Sequence, residues 1–350
     1  MVGADLRGGT ERRGGMSTAR IAAIDYALPL HRVTNQALAE LHPTWQMDQV
    51  ELRTGVKERA WCGRDETALD LAETACRKVL TRANWDAGTV DALLFCTQSP
   101  DYAMPPNACL LQERLGLPTS VAALDFSLAC SGFIYGLYLA RALIESGTAH
   151  RVLLVTAETY SKWTHPGDRG PVTLFGDGAA ATLVTAGATG IETIAVGTDG
   201  SGSSTFMIPA GGARSPASDC TKAVVTDESG NVRTPEHIYM DGGSVLDFVK
   251  KAMPKFVNRL LAQARVKLDT VDLVVFHQAS QIALDYLNRA LHVPRAKQFT
   301  NIGRIGNTVS ASIPIALRDA ELQGVLKPDM RLVLVGFGVG LSWGGCVLVW

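Results

Sequence analysis

Residues 90–99 read VDALLFCTQS, and residues 271–280 repeat the pattern as VDLVVFHQAS, at an offset of 271 − 90 = 181. A second pair of similar runs, RVLLVTAE at 151–158 and RLVLVGFG at 331–338, has an offset of 331 − 151 = 180. Two matches at nearly one spacing predict a duplicated chain with two similar halves. Each run is short, apolar and rich in β-branched residues, which is typical of a buried strand.

Helical patterns flank these predicted strands. Residues 68–83, ALDLAETACRKVLTRA, and residues 244–264, SVLDFVKKAMPKFVNRLLAQA, have apolar side chains at spacings of three and four, which indicates amphipathic helices. Strands that alternate with helices predict an α/β protein whose parallel sheets are covered by helices on both faces. We therefore expect a disordered N-terminal extension over 1–19, an N-terminal half over 20–190 and a C-terminal half over 191–350.

The stretch between the halves is rich in glycine, serine and proline. It reads GTDGSGSSTFMIPAGGARSPAS over residues 197–218, which is typical of long loops. Its FMIPAGG segment is too apolar for a free tether. Two interpretations therefore stay open, a loop that lies on the protein near a substrate and an excursion into solvent.

The composition restricts the class of protein. Of 350 residues, 47% are apolar and 19% are charged, and 33 basic against 34 acidic side chains give a formal net charge of −1. This composition excludes a disordered, collagen-like or disulfide-scaffold protein. The balanced charge also lacks the basic surplus typical of proteins that bind nucleic acid or an anionic membrane surface, so neither partner is expected.

The cysteines and the N-terminal sequence indicate the compartment. The seven cysteines, an odd number without a CxxC pair or zinc-type spacing, predict a cytoplasmic protein with no metal site. The first 15 residues, MVGADLRGGTERRGG, are polar and lack the apolar core of a secretory signal, and Met16 is a candidate start. No uninterrupted apolar run of about 18 residues is present, so no membrane span is predicted.

Cys130 lies where a strand pattern meets a helical pattern, in LDFSLACSGFIYGLYLARALIESG over 124–147. A helix N-terminus offers unpaired N–H groups and positive partial charge, which lower the pKa of a thiol and hold an oxyanion. The small neighbours Ala129, Ser131 and Gly132 leave the sulfur approachable. Cys130 is therefore the candidate nucleophile, and the alternative is an inert packing cysteine.

A nucleophilic thiol needs a base or a positively charged partner nearby. His277 directly follows the apolar run VDLVVF, so it stands at the carboxyl end of a predicted parallel strand, where α/β proteins place their sites. Asn307 lies in GNTVSAS, and 307 − 180 = 127 puts it near the counterpart of Cys130 in the duplication. Both residues are therefore expected to point at the pseudo-twofold centre. The alternatives are a histidine that makes a structural hydrogen bond and an asparagine that caps a helix.

GFGVGLSWGG over residues 336–345 is a further candidate. Its glycines let the backbone approach a ligand closely, and a backbone N–H there is able to share an oxyanion with that of Cys130. The segment does not open a helix as a dinucleotide-binding loop does, so a cofactor there has little support. The alternative is a tight turn between two strands.

These motifs together resemble β-ketoacyl-acyl-carrier-protein synthase III of the thiolase superfamily. The resemblance rests on DFSLACSGFIYGL around Cys130, FHQAS at His277, GNTVSAS at Asn307 and the closing FGVGLSWGG. RTGVKER at Arg53 and DRGPVTLFGDGAAATLV at Arg169 are similar to further motifs of that family. The matches run in order through nearly the whole chain. They imply a homodimer of thiolase-like α/β subunits, each with five layers in the order αβαβα.

By this resemblance Cys130 takes an acyl group from a thioester of coenzyme A or an acyl-carrier protein, with the backbone N–H groups of Cys130 and Val339 as the oxyanion hole. His277 and Asn307 then stabilise the thioester enolate that forms when a malonyl-type extender loses carbon dioxide. The enolate attacks the acyl-Cys130 carbonyl and gives a β-keto thioester. No cofactor is implied beyond these thioester substrates.

The resemblance also implies four substrate-binding residues, Arg53, Arg169, Met104 and Ser280. Met104, in MPPNAC, matches the position from which the partner subunit reaches into the acyl pocket, and a flexible methionine suits an irregular pocket floor. Packing at the interface without any effect on selectivity is the alternative for Met104.

The chain departs from the family's fatty-acid members at three positions. Gln49 stands where a tryptophan usually stacks on the adenine of coenzyme A, Ile282 where an arginine is usual, and Asp247 where a lysine often meets the phosphates of the carrier protein. The loss of one ring and two cations weakens the generic docking surface but leaves the cysteine, histidine and asparagine chemistry unaffected.

Three functions are consistent with these residues. The first is decarboxylative condensation, which uses all three candidate catalytic residues. The second is an acyltransferase of secondary metabolism that passes the acyl group from Cys130 to a hydroxyl or an amine, and the altered docking positions motivate it. The third is a non-enzymatic scaffold, in which the Cys130 thiol is no more reactive than the others.

Overall fold

The structure is a computed structural model that describes residues 18–350. Most of the predicted extension over 1–19, together with the candidate start at Met16, lies outside the described residues. Thr18 and Ala19 belong to the first strand, because they pair with Gly187 and Ala186. The strand therefore includes the last two residues of the predicted extension.

The elements are numbered in chain order. The strands of the described residues are β1 (Thr18–Ala27), β2 (Arg32–Thr34), β3 (Glu58–Ala60), β4 (Ala92–Cys96), β5 (Ala122–Phe126), β6 (Arg151–Glu158), β7 (Gly178–Gly187), β8 (Ile191–Thr198), β9 (Phe206–Met207), β10 (Val225–Thr226), β11 (Val232–Arg233), β12 (Tyr239–Met240), β13 (Leu273–Phe276), β14 (Arg331–Gly338) and β15 (Ser342–Val349). The α-helices are α1 (Asn35–Leu41), α2 (Met47–Thr54), α3 (Ala68–Ala83), α4 (Asn107–Leu115), α5 (Gly132–Glu145), α6 (Arg169–Leu174), α7 (Gly242–Ala264), α8 (Gln281–Ala290), α9 (Ile302–Ile305) and α10 (Ser312–Leu322).

Two sheets form the centre of the molecule. The first has the strand order β1-β7-β6-β4-β5 and the second the order β13-β14-β15-β8. In these two sheets β4 is parallel to β5 and β6, and β13 is parallel to β14, but the other neighbouring pairs are antiparallel. The expectation of parallel sheets is therefore wrong for part of each sheet. A turn over residues 339–341 joins β14 to β15, and so short a connection returns the chain antiparallel.

The helices cover the sheets in layers. Helices α3 and α4 pack on the outer face of the first sheet, and α7 and α8 pack on the outer face of the second. Helices α5 and α10 lie between the sheets, against Leu94 and Leu154 on one side and Leu332 and Leu334 on the other. Because successive side chains of a strand point to opposite faces, Val333 and Val335 face the outer helices instead. The layer order is αβαβα, which confirms the predicted fold class.

The two halves place equivalent elements at equivalent positions in the chain. Strand β14 begins 331 − 151 = 180 residues after β6, and α10 begins 312 − 132 = 180 residues after α5. The chain leaves the first sheet after Gly187 and enters the second at Ile191. Helix α5 begins two residues after Cys130, and α10 begins five residues after Asn307. The central layer therefore positions both candidate site residues.

The Gly/Ser/Pro-rich stretch over 197–218 lies on the protein. Phe206 is buried, and its ring packs against those of Tyr160 and Phe175 at centroid distances of 6.4 Å and 5.9 Å. The short strand β9 pairs with β12, and β10 pairs with β11. Of the two interpretations of the stretch, the structure favours a segment packed against the body.

Three further features concern residues 18–350 together. All seven cysteines fall within the described residues and are free. Among residues 18–350, no helix combines the length and the apolar character needed to cross a membrane. The same residues contain no group of three or more histidine, cysteine or acidic side chains placed to hold a metal ion.

Candidate active site

One cavity of about 150 Å³ brings together Cys130, His277, Asn307 and Ser280. Cys130 precedes α5, His277 follows β13, and Asn307 lies between α9 and α10. Cys130, His277 and Asn307 are each at most 4% exposed. Residues that are up to 177 positions apart in the chain (307 − 130) thus share one enclosed space next to the central helices.

The side chain of Asn307 is fixed by two contacts. Its Oδ1 accepts a hydrogen bond from the Val309 N–H at 2.9 Å, and its Nδ2 donates to the Ala279 carbonyl at 3.3 Å. The same Nδ2 lies 3.4 Å from Nε2 of His277. Val309 is buried with φ of 53°, a left-handed conformation that costs a β-branched residue about 1–3 kcal/mol. The Asn307 contact therefore also stabilises a strained turn.

His277 is neutral at physiological pH. Burial lowers its pKa from 6.5 to about 3, because the charged imidazolium loses its hydration. Nδ1 of His277 lies 2.6 Å from the Ser312 hydroxyl, which is able either to donate or to accept a hydrogen bond. Ser312 therefore supports both neutral tautomers, one with a lone pair on Nε2 and one with an N–H there.

The thiol of Cys130 is protonated rather than activated in the resting state. Burial, followed by the nearby Glu158 carboxylate, raises the pKa of Cys130 from 9.0 to about 12. The backbone N–H groups of Cys130 and Val339 point at the sulfur and lower its pKa. The expectation of a lowered thiol pKa is therefore wrong, because loss of hydration outweighs the N–H groups. Attack by Cys130 requires a proton acceptor in the same cavity.

Two glycines of β14 leave room for Cys130. A Cβ at Gly338 would lie 2.8 Å from both Cβ and Sγ of Cys130, and a Cβ at Gly336 would lie 2.6 Å from the Cys130 carbonyl oxygen. The absence of these side chains lets β14 pass directly against the Cys130 junction. The segment 336–345 is thus the turn between two strands and also the backbone beside the sulfur.

A second, larger cavity of about 370 Å³ lies beside the first. Phe206 lines both cavities, and Val339, whose N–H faces the Cys130 sulfur, lines the larger one. The described residues around it are Gln98, Ser127, Tyr160, Trp163, Ser203, Phe206, Met207, Ile208, Ile238, Val339 and Gly340. The two cavities therefore share a wall close to Cys130.

The other predicted substrate-binding residues are distributed differently. Ser280 lines the smaller cavity, and its hydroxyl accepts from the Ala283 N–H as the N-cap of α8. Arg53 is exposed in the last turn of α2, Arg169 is half-buried at the start of α6, and Met104 is 81% exposed. None of these three lines either cavity, so their roles stay predictions.

Glu158 is a buried acid beside the site that the sequence analysis missed. Its Oε2 accepts from the Gln98 N–H at 3.0 Å and from the Ser99 hydroxyl at 2.9 Å, and its Oε1 accepts from the Ser310 hydroxyl at 2.8 Å. Burial raises its pKa from 4.5 to about 7. The carboxylate links the end of β4 to the turn that follows Asn307. An acidic residue directly after the apolar run RVLLVTA is the signal that would have revealed it.

The Glu158→Gln variant is expected to gain stability relative to the wild type as the pH rises. The native pKa of about 7 exceeds the ordinary value of 4.5, so folded wild-type protein binds more protons than unfolded protein between these pH values. Its free energy of unfolding therefore falls as the pH rises from about 5 to about 8, by roughly 2 kcal/mol from this group. Urea unfolding of the wild type and of Glu158→Gln at about pH 5 and pH 8 measures the difference between their free energies of unfolding. The contribution of His277 is the same in both proteins and cancels. A constant difference would contradict a raised pKa.

Two family models match this chain. One is described as 3-oxoacyl-[acyl-carrier-protein (ACP)] synthase III and matches residues 124–200. The other is described as the C-terminal part of 3-oxoacyl-[acyl-carrier-protein (ACP)] synthase III and matches residues 261–350. The first match includes Cys130, and the second includes His277 and Asn307.

Relatives match over nearly the whole chain. A β-ketoacyl-[acyl-carrier-protein] synthase III from Clostridium perfringens is 36% identical over 335 residues, which cover 95% of this chain and 99% of the relative. A crystal structure of a 3-oxoacyl-(acyl-carrier-protein) synthase III is 44% identical with a TM-score of 0.93, covering 95% of this chain and 100% of that one. The priming β-ketosynthase from the R1128 polyketide pathway is 26% identical with a TM-score of 0.83, covering 98% of each chain. With this agreement in sequence and fold, the chain belongs to the 3-oxoacyl-[acyl-carrier-protein] synthase III family of thiolase-fold acyltransferases.

Proposed function

We propose that the chain joins an acyl group held on Cys130 to a malonyl-type thioester that loses carbon dioxide. The observation that carries this proposal is the single cavity lined by Cys130, His277 and Asn307. One nucleophile and two neutral donors are what the two half-reactions need. Family membership favours this condensation over transfer to a hydroxyl or an amine.

In the first half-reaction the sulfur of Cys130 attacks the carbonyl carbon of an acyl thioester. As the new carbon–sulfur bond forms, the thiol proton passes to Nε2 of His277, in the tautomer whose Nδ1–H donates to Ser312, and the low pKa of His277 makes this imidazolium short-lived. The N–H groups of Cys130 and Val339 receive the negative oxygen of the tetrahedral intermediate. The carbon–sulfur bond to the carrier then breaks, and the leaving thiolate takes the proton from His277.

In the second half-reaction a malonyl thioester occupies the smaller cavity. Its carbon–carboxylate bond breaks and carbon dioxide leaves. The enolate oxygen accepts from Nδ2–H of Asn307 and from Nε2–H of His277, which is then in its other neutral tautomer, with Nδ1 accepting from the Ser312 hydroxyl. Because the pKa of His277 is about 3, the imidazole stays neutral and does not protonate the enolate carbon. That carbon attacks the acyl carbonyl, and the bond to Cys130 breaks to release a β-keto thioester. The Cys130 thiolate regains a proton from solvent.

The two cavities fit the two arms of a thioester. The acyl chain and the carrier arm extend in different directions from the carbonyl carbon that Cys130 attacks. The smaller cavity, with His277 and Asn307, receives the carrier arm and the malonyl group. The larger cavity beyond Val339 receives the acyl chain. Arg53 and Arg169 supply cations for the phosphates of coenzyme A or of a carrier protein.

The edge of the first sheet supports a homodimer. Strand β5 is an edge strand, Ala122 in it is exposed, and Leu124 is 43% exposed. An unpaired apolar edge is a template for another strand, and a second copy supplies an identical one. Ser127, directly after β5, lines the larger cavity, so a partner at this edge covers the mouth of the acyl pocket. The exposed Met104 of the partner subunit is the residue proposed to enter it.

The proposed function is tested by following carbon dioxide. The wild-type chain, preloaded with an acyl group from acyl-coenzyme A, is expected to release labelled carbon dioxide from malonyl-coenzyme A or a malonyl-carrier protein and to form a β-keto thioester. Acyl transfer to an alcohol or amine without carbon dioxide would favour the alternative function. A protein that is acylated at Cys130 but decarboxylates neither malonyl thioester would exclude the condensation.

A further inference from the structure

We infer that the larger cavity selects acyl groups that carry a neutral hydrogen-bond acceptor, such as a keto oxygen, over plain alkyl chains. The inference rests on the proposed function, because it takes this cavity as the acyl pocket. The observation that carries it is a polar pair, Gln98 and Tyr160, within an otherwise largely apolar lining.

The polar pair is held rigidly in the wall of the cavity. The Tyr160 hydroxyl donates to Oε1 of Gln98 at 2.6 Å, and both residues line the cavity. Tyr160 is 4% exposed, and its ring packs edge-on against Phe175 at 5.1 Å and Phe206 at 6.4 Å. The Gln98 backbone is fixed by its N–H bond to Glu158 at 3.0 Å. The pair is therefore preorganised before any substrate arrives.

The bond between Gln98 and Tyr160 leaves some of their donor hydrogens without an acceptor. A glutamine amide and a phenol together carry three donor hydrogens, and the bond between them uses one, whichever way the amide is turned. No acceptor within residues 18–350 receives a hydrogen bond from Nε2 of Gln98. An alkyl chain in the cavity would remove water from these donors without replacing its hydrogen bonds, which is unfavourable. An oxygen on the acyl chain accepts from these donors and so replaces the hydrogen bonds that water made.

The acceptor is neutral because the cavity holds no compensating charge. The described residues that line it include no lysine, arginine or histidine. A carboxylate there would be buried without a counter-ion, and such burial is strongly unfavourable. The volume of about 370 Å³ lies near the lower end of ordinary ligand cavities, which suits a short or medium chain.

The test compares donors of equal chain length on the full wild-type chain. Hexanoyl-, 4-oxohexanoyl-, 5-oxohexanoyl- and adipoyl-coenzyme A are supplied separately, and intact-protein mass spectrometry gives the initial rate of acylation. At least one oxo donor is expected to react about tenfold faster than hexanoyl-coenzyme A, and the carboxylate of adipoyl-coenzyme A is expected to make it slower than hexanoyl. If only the 4-oxo or only the 5-oxo donor reacts faster, the result also shows which carbon of the acyl chain lies beside Gln98 and Tyr160.

The double variant Gln98→Leu/Tyr160→Phe removes all three donor hydrogens with little change in volume. It is expected to lose the preference for the oxo donor, because hexanoyl transfer becomes faster once no donor loses its water and oxo transfer becomes slower once its hydrogen bond is gone. Gln323→Leu, at an exposed position after α10 and outside both cavities, is the matched control and is expected to keep the preference.

Three results would overturn the inference. The first is that hexanoyl-coenzyme A reacts as fast as every oxo donor. The second is that adipoyl-coenzyme A reacts fastest. The third is that the double variant keeps the preference for the oxo donor. Each still leaves Cys130 acylated, so the selectivity fails while the acylation step of the proposed function stands. If no donor acylates the wild-type protein, the proposed function fails together with the inference. If the double variant does not fold, the order of the four acylation rates in the wild type still tests the inference.

Discussion

The Cys130→Ala variant is expected to take up no acyl group from any thioester donor. The sulfur of Cys130 is the atom toward which the N–H groups of Cys130 and Val339 point, and it lines the cavity with the two candidate donors. Loss of a covalent nucleophile from such a site lowers the rate by at least about 10⁴-fold. Intact-protein mass spectrometry after exposure to acyl-coenzyme A measures the effect as the absence of the added acyl mass.

An exposed cysteine provides the matched control for that experiment. Cys220 is exposed and lines neither cavity, so Cys220→Ala is expected to acylate at the wild-type rate. Peptide mapping of the acylated wild type should place the added mass on Cys130 only. An acyl adduct that persists at full rate in Cys130→Ala would show that another residue is the nucleophile, and the proposed mechanism would be wrong.

The Asn307→Ala variant is expected to lose condensation and keep acylation. Without Nδ2 of Asn307 the enolate oxygen has one donor, His277, instead of two. Removal of one oxyanion donor at comparable sites costs about 10²–10³ in rate. In the proposed mechanism acylation of Cys130 uses the backbone N–H groups and not Asn307, so its rate is expected to change only a few-fold. Carbon dioxide release and intact-protein mass measure the two half-reactions separately.

A second substitution separates catalysis from the structure of the turn. Asn307→Asp keeps an oxygen to accept from the Val309 N–H, so the strained turn keeps its support, but the Nδ2 donor is lost. Condensation is expected to be as slow in Asn307→Asp as in Asn307→Ala. If Asn307→Asp condenses at the wild-type rate, the side chain acts through the turn and not as a donor. Equal loss of acylation and condensation in both variants would show that Asn307 does not act specifically on the enolate.

Much of the fold is predictable from the pattern of apolar residues. The runs at 90–99 and 271–280 and their equal spacing predict two similar halves, and the αβαβα layers follow from the resemblance. Strand direction at the sheet edges is not predictable in this way, because an apolar run is the same in a parallel and an antiparallel pair. The turn at 339–341 fixes the direction of β15, and its glycines alone do not distinguish a turn from a ligand-binding loop.

The candidate site is predictable as a set of residues but not as an electrostatic environment. Cys130 at a strand-to-helix junction and His277 at a strand end are visible in the sequence. The sequence pattern predicts a lowered thiol pKa, whereas burial raises it to about 12 in the structure. The buried Glu158 contributes to this shift and has no motif of its own. Hydration is a property of all the atoms packed around a group, so a local sequence pattern does not specify it.

The sequence by itself determined the duplicated architecture and which residues stand at the ends of its strands, because side-chain periodicity and spacing are local properties of the chain. The tertiary structure decided which distant side chains those residues contact. Tyr160 bonds Gln98 across 62 positions, and Ser310 bonds Glu158 across 152. Such pairs and the protonation states that depend on them arise only when distant segments are packed together and water is excluded from the space between them.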